Sequence, residues 1–77
     1  KPGLAYLDII SKVKEKYNIP VIAYNVSGEY SMIKHAIQNK IMGDDAIYET
    51  MVSFKRAGAS AIVTYFANEI VEKFIDI

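Results

Sequence analysis

Hydroxyl side chains lie at the ends of two apolar segments of this sequence. The first segment contains Tyr24 and ends at Ser27, and the second ends at Tyr65. Because parallel α/β proteins hold ligands at the carboxyl ends of their strands, we expect these three side chains to face one functional site. Lys1 opens the chain as Lys-Pro-Gly, directly before a helical pattern, as a lysine at the end of a strand would. A lysine and three hydroxyls in one pocket indicate imine chemistry on a substrate with a ketone and a carboxylate.

Each of these residues also has an ordinary structural interpretation. Lys1 could be an exposed charged terminus, because most lysines are solvated. Ser27 could cap a helix, although the glycine after it and the helix amino terminus beyond it also suit a carboxylate. Tyr65 could be a core aromatic residue whose hydroxyl reaches the backbone. The residue pattern by itself leaves these alternatives open.

The elements that position these residues are predicted from apolar periodicity. Residues 4–17 form an amphipathic helix whose apolar side chains recur at steps of three and four: Tyr6, Ile9, Ile10, Val13 and Tyr17. A strand over residues 20–26 follows. Ser27 or Gly28 then begins a second helix, whose inner face is predicted as Met32, Ile33, Ala36 and Ile37.

The second half of the chain repeats this alternation. Residues 39–43 are predicted as a turn, and a third helix runs from Asp44 and Asp45 to Lys55 and Arg56, with charges that complement the helix dipole. Gly58 can supply a left-handed cap. A strand over residues 60–65 and a last helix from Asn68 complete the order. The inner face of the third helix is predicted as Ile47, Met51 and Phe54, and that of the last helix as Ile70, Val71 and Phe74.

Composition limits the classes of protein to which the chain can belong. Its 77 residues are 52% apolar, and both strands are continuous apolar runs that need neighbours on both edges and cover on both faces. We therefore expect either assembly with other copies or a piece of a larger barrel or sheet. Nine basic and nine acidic residues balance, which favours neither nucleic acid nor membranes as partners. The pattern is typical of a soluble, cytoplasmic protein.

Other residues that could do chemistry are assigned structural roles. The chain contains no cysteine, and His35 is its only histidine, so no metal ligand is predicted. Glu29 is interpreted as a first-turn carboxylate that complements the helix dipole, and Asp44 and Asp45 as the start of a helix.

Three separated segments carry a resemblance to a known family. They are residues 1–8 (Lys-Pro-Gly-Leu-Ala-Tyr-Leu-Asp), residues 24–33 (Tyr-Asn-Val-Ser-Gly-Glu-Tyr-Ser-Met-Ile), and residues 54–59 (Phe-Lys-Arg-Ala-Gly-Ala) with 64–66 (Thr-Tyr-Phe). In this order they are similar to the carboxy-terminal part of the delta-aminolevulinic acid dehydratases, also called porphobilinogen synthases. The resemblance implies that residues 1–77 are about the last quarter of one (β/α)8 TIM-barrel catalytic domain, an α/β fold.

The resemblance also implies an activity and a role for each candidate residue. The family condenses two molecules of 5-aminolevulinate asymmetrically into porphobilinogen, an early step of haem and other tetrapyrrole synthesis. Lys1 would form the Schiff base with the substrate at the P site, Ser27 and Tyr65 would bind the carboxylate of that substrate, and Tyr24 would line the pocket. Ala5 stands where many members have proline, which affects none of these roles.

The rest of the family's catalytic apparatus is expected outside this chain. Family members use zinc or magnesium, with ligands upstream of this region, and a second catalytic lysine also belongs upstream. The family assembles as homo-oligomers, usually octamers, so the resemblance implies the same assembly here. The 77 residues alone are expected to be inactive.

Two other functions fit part of the sequence. A Lys-Pro pair after a strand also occurs in receiver domains, which are non-catalytic α/β regulatory modules, but only one helix follows that lysine there. Two further strand-helix units follow Lys1 in this chain, which argues against a receiver domain. Another lyase or aldolase barrel with an imine-forming lysine is disfavoured by the segments around Ser27 and Tyr65.

Overall fold

The computed structural model describes residues 1–74. Within this range the predicted alternation of helices and strands is confirmed. The elements are a 3₁₀ turn at Gly3–Tyr6, helix α1 (Leu7–Tyr17), strand β1 (Ile22–Asn25), helix α2 (Ser27–Gln38), helix α3 (Asp45–Ala57), strand β2 (Ala61–Thr64) and helix α4 (Ala67–Phe74).

The strands β1 and β2 pair in parallel, with Ile22 opposite Ala61 and Asn25 opposite Thr64. Side chains alternate between the faces of this sheet, so that Asn25 is buried while its neighbour Tyr24 is exposed. The predicted opposite orientation of these two side chains is thus confirmed. The parallel register brings the carboxyl ends of both strands to one edge of the sheet.

Helix α3 joins the two parts of the hydrophobic core. Its Phe54 is fully buried in a cluster with Ile10 of α1 and Ala23 of β1. Its Ile47 packs in a second cluster with Ile33 of α2 and with Phe66, which follows β2. The first cluster lies on the helix-covered face of the sheet, and the second packs around Phe66, just beyond the end of β2.

Helix α3 ends as the sequence predicts. Gly58 adopts a φ of 113°, in the left-handed region that glycine enters without a Cβ clash. Its N–H donates to the carbonyl of Lys55, and the N–H of Ala59 donates to the carbonyl of Phe54. The basic residues Lys55 and Arg56 lie in the last turn, where they complement the helix dipole.

Several side chains predicted on inner helix faces are exposed. Ile9 and Met32 are 48% and 69% exposed, whereas their neighbours Ile10 and Ile33 are buried. Consecutive helical residues point roughly 100° apart, so one narrow contact buries only one member of each pair. The same reason leaves Val71 exposed beside Ile70, and Tyr6 is exposed because it belongs to the tighter 3₁₀ turn. Tyr17 is also exposed, and the side chain of Phe74 lies outside the described residues.

Residues 1–74 leave the other face of the sheet uncovered. Ile22 and Val63 are 68% and 54% exposed on that face, and Tyr24, which lies opposite Val63 in the register, shares it. Because apolar strands with open edges bind one another, we expect residues 1–77 expressed alone to self-associate or to be partly molten. Sedimentation velocity with thermal unfolding would test this. A dispersed monomer with one cooperative unfolding transition would contradict it.

Candidate functional site

The carboxyl edge of the sheet carries two of the predicted site residues. Asn25 pairs with Thr64, so Ser27 lies two residues and Tyr65 one residue beyond the same pair. Both side chains are exposed. Ser27 lies within the first turn of α2, and Val26 is the cap residue, without a side-chain capping bond. The capping interpretation of Ser27 is therefore wrong.

Tyr24 and Tyr65 are brought together at this edge. A side-chain hydrogen bond with Tyr65 raises the pKa of Tyr24 above its usual value, and the charge of an ionised Tyr65 and partial desolvation add to the effect. Both rings are solvent-accessible, and Tyr65 is 59% exposed, so the interpretation of Tyr65 as a core residue is wrong. The buried aromatic residue here is Phe66. The Tyr24 hydroxyl, whose pKa is raised, thus remains neutral and able to donate a hydrogen bond at physiological pH.

Tyr30 of α2 supports the Tyr65 ring from one side. The ring centroids of Tyr30 and Tyr65 lie 5.6 Å apart and those of Tyr30 and Phe66 lie 4.5 Å apart, both in tilted arrangements. These distances are typical of favourable aromatic packing. The packing orients the end of β2 relative to the start of α2, where Ser27 lies.

The Lys-Pro-Gly segment packs directly against β1. Gly3 is buried, and a Cβ at this position would lie 2.6 Å from the carbonyl oxygen of Tyr24 and 2.8 Å from Cε1 of Phe54. Only glycine permits so close an approach to the strand backbone. Lys1 is exposed and lies two residues before Gly3, within about 7 Å along the chain. The fold therefore brings Lys1 near the strand that carries Tyr24.

A buried polar network lies beneath these residues, and no common role for its members is predicted from the sequence. The Glu29 carboxylate accepts hydrogen bonds from the backbone N–H of Leu4 at 2.9 Å and from Nδ2 of Asn25 at 2.7 Å. Oδ1 of Asn25 accepts from the Thr64 hydroxyl at 2.7 Å, and Oγ1 of Thr64 accepts from the N–H of Phe66 at 3.2 Å. The features of the sequence that could have indicated this network are the polar residues at the ends of two apolar strands and the position of Glu29, four residues after Asn25.

Among residues 1–74, two ion pairs join charged side chains at the surface. Lys34 contacts Glu69 at 2.7 Å, and this hydrogen bond raises the pKa of Lys34. Lys73 contacts Asp44 at 3.2 Å, and His35 is exposed beside Asn39. Among residues 1–74 no three His, Asp or Glu side chains are grouped so that they could hold a metal ion. The same residues contain no helix of the length and apolarity needed to cross a membrane.

Comparisons with known proteins give one consistent family. Residues 1–73 match the family model described as delta-aminolevulinic acid dehydratase. The chain is 59% identical to the delta-aminolevulinic acid dehydratase of Archaeoglobus fulgidus over 95% of its own length and 23% of the relative's. It is 58% identical to the Staphylococcus aureus protein of the same name, over 91% of the chain and 22% of that relative.

A solved structure agrees with these sequence matches. The chain superposes with a TM-score of 0.90 and 46% identity on delta-aminolevulinic acid dehydratase from Toxoplasma gondii in complex with the reaction product porphobilinogen, over 94% of the chain and 21% of that protein. The chain thus spans less than a quarter of the relatives it matches. Because the family match covers nearly the whole chain, it argues against a receiver domain and against an unrelated imine-forming barrel. This chain belongs to the delta-aminolevulinic acid dehydratase family.

Proposed function

We propose that the complete enzyme containing this chain is a porphobilinogen synthase, and that this chain supplies part of its P site. The observation that carries the proposal is the arrangement of hydroxyls at the carboxyl edge of the sheet. Ser27 and Tyr65 follow paired strands there, the side chains of Tyr24 and Tyr65 interact, and Gly3 fixes the Lys1 segment against the same strand. The complete enzyme would condense two molecules of 5-aminolevulinate with loss of two waters.

Lys1 would act as the nucleophile toward one substrate molecule. Its neutral amine would add to the ketone carbon, and the ketone oxygen would leave as water once protonated, which forms an imine. The imine makes its carbon more electrophilic and the neighbouring C–H bonds more acidic than in the ketone. Both changes favour condensation with a second substrate molecule, and covalent attachment holds the first in place.

Ser27 and Tyr65 would bind the carboxylate of the same substrate. Both hydroxyls are exposed at the edge where β1 and β2 end, and the first turn of α2 adds backbone N–H groups that favour an anion. The contact with Tyr24 keeps the Tyr65 hydroxyl near β1. Tyr24, on the uncovered face of the sheet, would form a wall of the pocket.

This geometry suits a position within a closed barrel. Residues 1–77 would form the last quarter of a single (β/α)8 catalytic domain, with α1 to α4 on the outside. The uncovered sheet face, on which Ile22 and Val63 lie, would then face the barrel interior. The strand ends carrying Ser27 and Tyr65 would lie at the carboxyl face of that barrel, where TIM-barrel enzymes bind substrate.

The metal, the oligomeric state and the cellular location of the complete enzyme are proposed from its family membership. Residues 1–74 do not fit a zinc or magnesium site, because no suitable group of ligands occurs among them. We therefore assign any metal ligands to other parts of the enzyme and derive no step through a metal. The complete enzyme is proposed to be a cytoplasmic homo-oligomer, an octamer as in the family, with no nucleic-acid or membrane partner.

The carboxylate clamp gives a direct test of this proposal. Each hydrogen bond to a charged group contributes roughly 1.5 to 3 kcal/mol, so Ser27→Ala or Tyr65→Phe in the complete enzyme is expected to weaken 5-aminolevulinate binding about ten- to hundredfold. The effect should appear in steady-state assays as a raised KM. Ser53→Ala is the matched control, because the exposed Ser53 hydroxyl donates to the Glu49 carbonyl within α3. Unchanged substrate dependence in both variants would contradict the clamp.

A further inference from the structure

The carboxylate of Glu29 is buried at a junction of three chain segments. The residue is 5% exposed, and each of its two oxygens accepts a separate hydrogen bond. Oε2 accepts from the backbone N–H of Leu4, which is three residues from Lys1. Oε1 accepts from Nδ2 of Asn25, which is adjacent to Tyr24. A carboxylate that only complements the helix dipole needs no such partners, because that interaction also operates at an exposed site.

The network continues from Asn25 to the end of the second strand. Asn25 is fully buried, and its Oδ1 accepts from the Thr64 hydroxyl at 2.7 Å. Thr64 precedes Tyr65, and its Oγ1 accepts from the N–H of Phe66 at 3.2 Å. One continuous set of bonds therefore links the segment of Lys1 to the segment of Tyr65.

Hydrogen-bond polarity permits only one direction along this network. An ionised carboxylate only accepts, so Asn25 must turn its NH₂ group to Glu29 and its carbonyl to Thr64. If the Asn25 amide were reversed, the Thr64 hydroxyl would lose its acceptor. Within residues 1–74 every buried side-chain nitrogen and oxygen has a partner. A fully satisfied buried network of this kind favours one arrangement of its segments over alternatives.

We propose that Glu29 is a positioning residue that sets the place of Lys1 relative to Ser27 and Tyr65. The inference rests on the proposed function, because it concerns the same P site. Glu29 does not touch the substrate in this assignment. It acts through the Leu4 N–H on the Lys-Pro-Gly segment, and through Asn25 and Thr64 on the strand ends.

The test exchanges donor and acceptor within the network of the complete enzyme. Glu29→Gln places an NH₂ group against one of the two donors to Glu29, which are the Leu4 N–H and Nδ2 of Asn25. Asn25→Asp places a carboxylate against the Glu29 carboxylate. The double variant Glu29→Gln with Asn25→Asp restores every bond, since Gln can donate to Asp and accept from Leu4, while Asp still accepts from Thr64. The readout is the rate of borohydride trapping of 5-aminolevulinate on Lys1, measured by peptide mass mapping at saturating substrate.

We expect Glu29→Gln to slow trapping on Lys1 about a hundredfold, the order of loss that a misplacement of 1 Å causes. KM should change less than threefold, because Ser27 and Tyr65 are retained, and the double variant should recover to within about tenfold of wild type. If Asn25→Asp does not fold, Glu29→Gln alone decides. The matched control is Glu69→Gln, a first-turn carboxylate of α4 paired with Lys34, which should lower thermal stability without slowing trapping.

Wild-type trapping in Glu29→Gln would overturn the inference. A loss no larger than the unfolded fraction of that variant would also overturn it, because Glu29 would then only stabilise the fold. Failure of the wild-type enzyme to label Lys1 would instead overturn the proposed function, and the inference with it.

Discussion

Lys1→Arg in the complete enzyme is expected to abolish porphobilinogen formation. A guanidinium group remains protonated in proteins and cannot attack a ketone, although it keeps the positive charge and much of the length of lysine. Borohydride reduction of the wild-type enzyme with 5-aminolevulinate should leave a stable adduct on the peptide that contains Lys1. The measurements are pyrrole formation and mass mapping of the labelled peptides.

The control for this substitution is Lys12→Arg. Lys12 is exposed on α1, in the middle of a solvated helix face, and has no proposed role in binding or catalysis. We expect this variant to keep wild-type turnover. A label found only on other lysines, or an active Lys1→Arg enzyme, would remove Lys1 from the mechanism.

Gly3→Ala is expected to lower turnover of the complete enzyme about a hundredfold through displacement of Lys1. The added Cβ would lie 2.6 Å from the Tyr24 carbonyl oxygen, which belongs to a paired strand, and 2.8 Å from the buried Phe54 ring. Neither group can move without disturbing the sheet or the core, so the Lys-Pro-Gly segment must shift instead. Kinetics and thermal unfolding together check this, with a stability loss of roughly 1 to 3 kcal/mol.

Gly43→Ala separates this contact from the general effect of replacing a glycine. A Cβ at Gly43 would meet only the Asp45 side chain, whose exposed carboxylate can turn away. We expect wild-type kinetics from this variant. If Gly3→Ala were as active as Gly43→Ala, the close packing of the Lys1 segment against β1 would have no functional importance.

The prediction from sequence was accurate where local patterns decide structure. The bounds of α3, the left-handed cap at Gly58 and the opposite orientations of Tyr24 and Asn25 all follow from helix caps and the two-residue period of strands. Prediction of buried faces was less accurate, as Ile9 and Met32 show. Periodicity gives an apolar stripe but not the width of the surface that meets it.

The structural roles of the site residues depended on contacts that no local pattern contains. Local sequence patterns favoured Ser27 as a helix cap and Tyr65 as a core residue. The fold contradicts both interpretations. The proposed catalytic role of Lys1 and the binding roles of Tyr24, Ser27 and Tyr65 stay predictions until the substitutions are made.

The sequence by itself determined the order of the elements and, through three short segments, the family. Those are local properties, set by residue type and spacing over a few turns or strand residues. The tertiary structure alone decided that Glu29 joins Leu4 to Asn25, that Thr64 joins Asn25 to the second strand, and that Tyr24 contacts Tyr65. Three of these contacts join residues that are 25 to 41 positions apart in the chain: Leu4 with Glu29, Asn25 with Thr64, and Tyr24 with Tyr65. Their contact depends on strand register and helix packing, which arise only when the whole sheet edge is assembled.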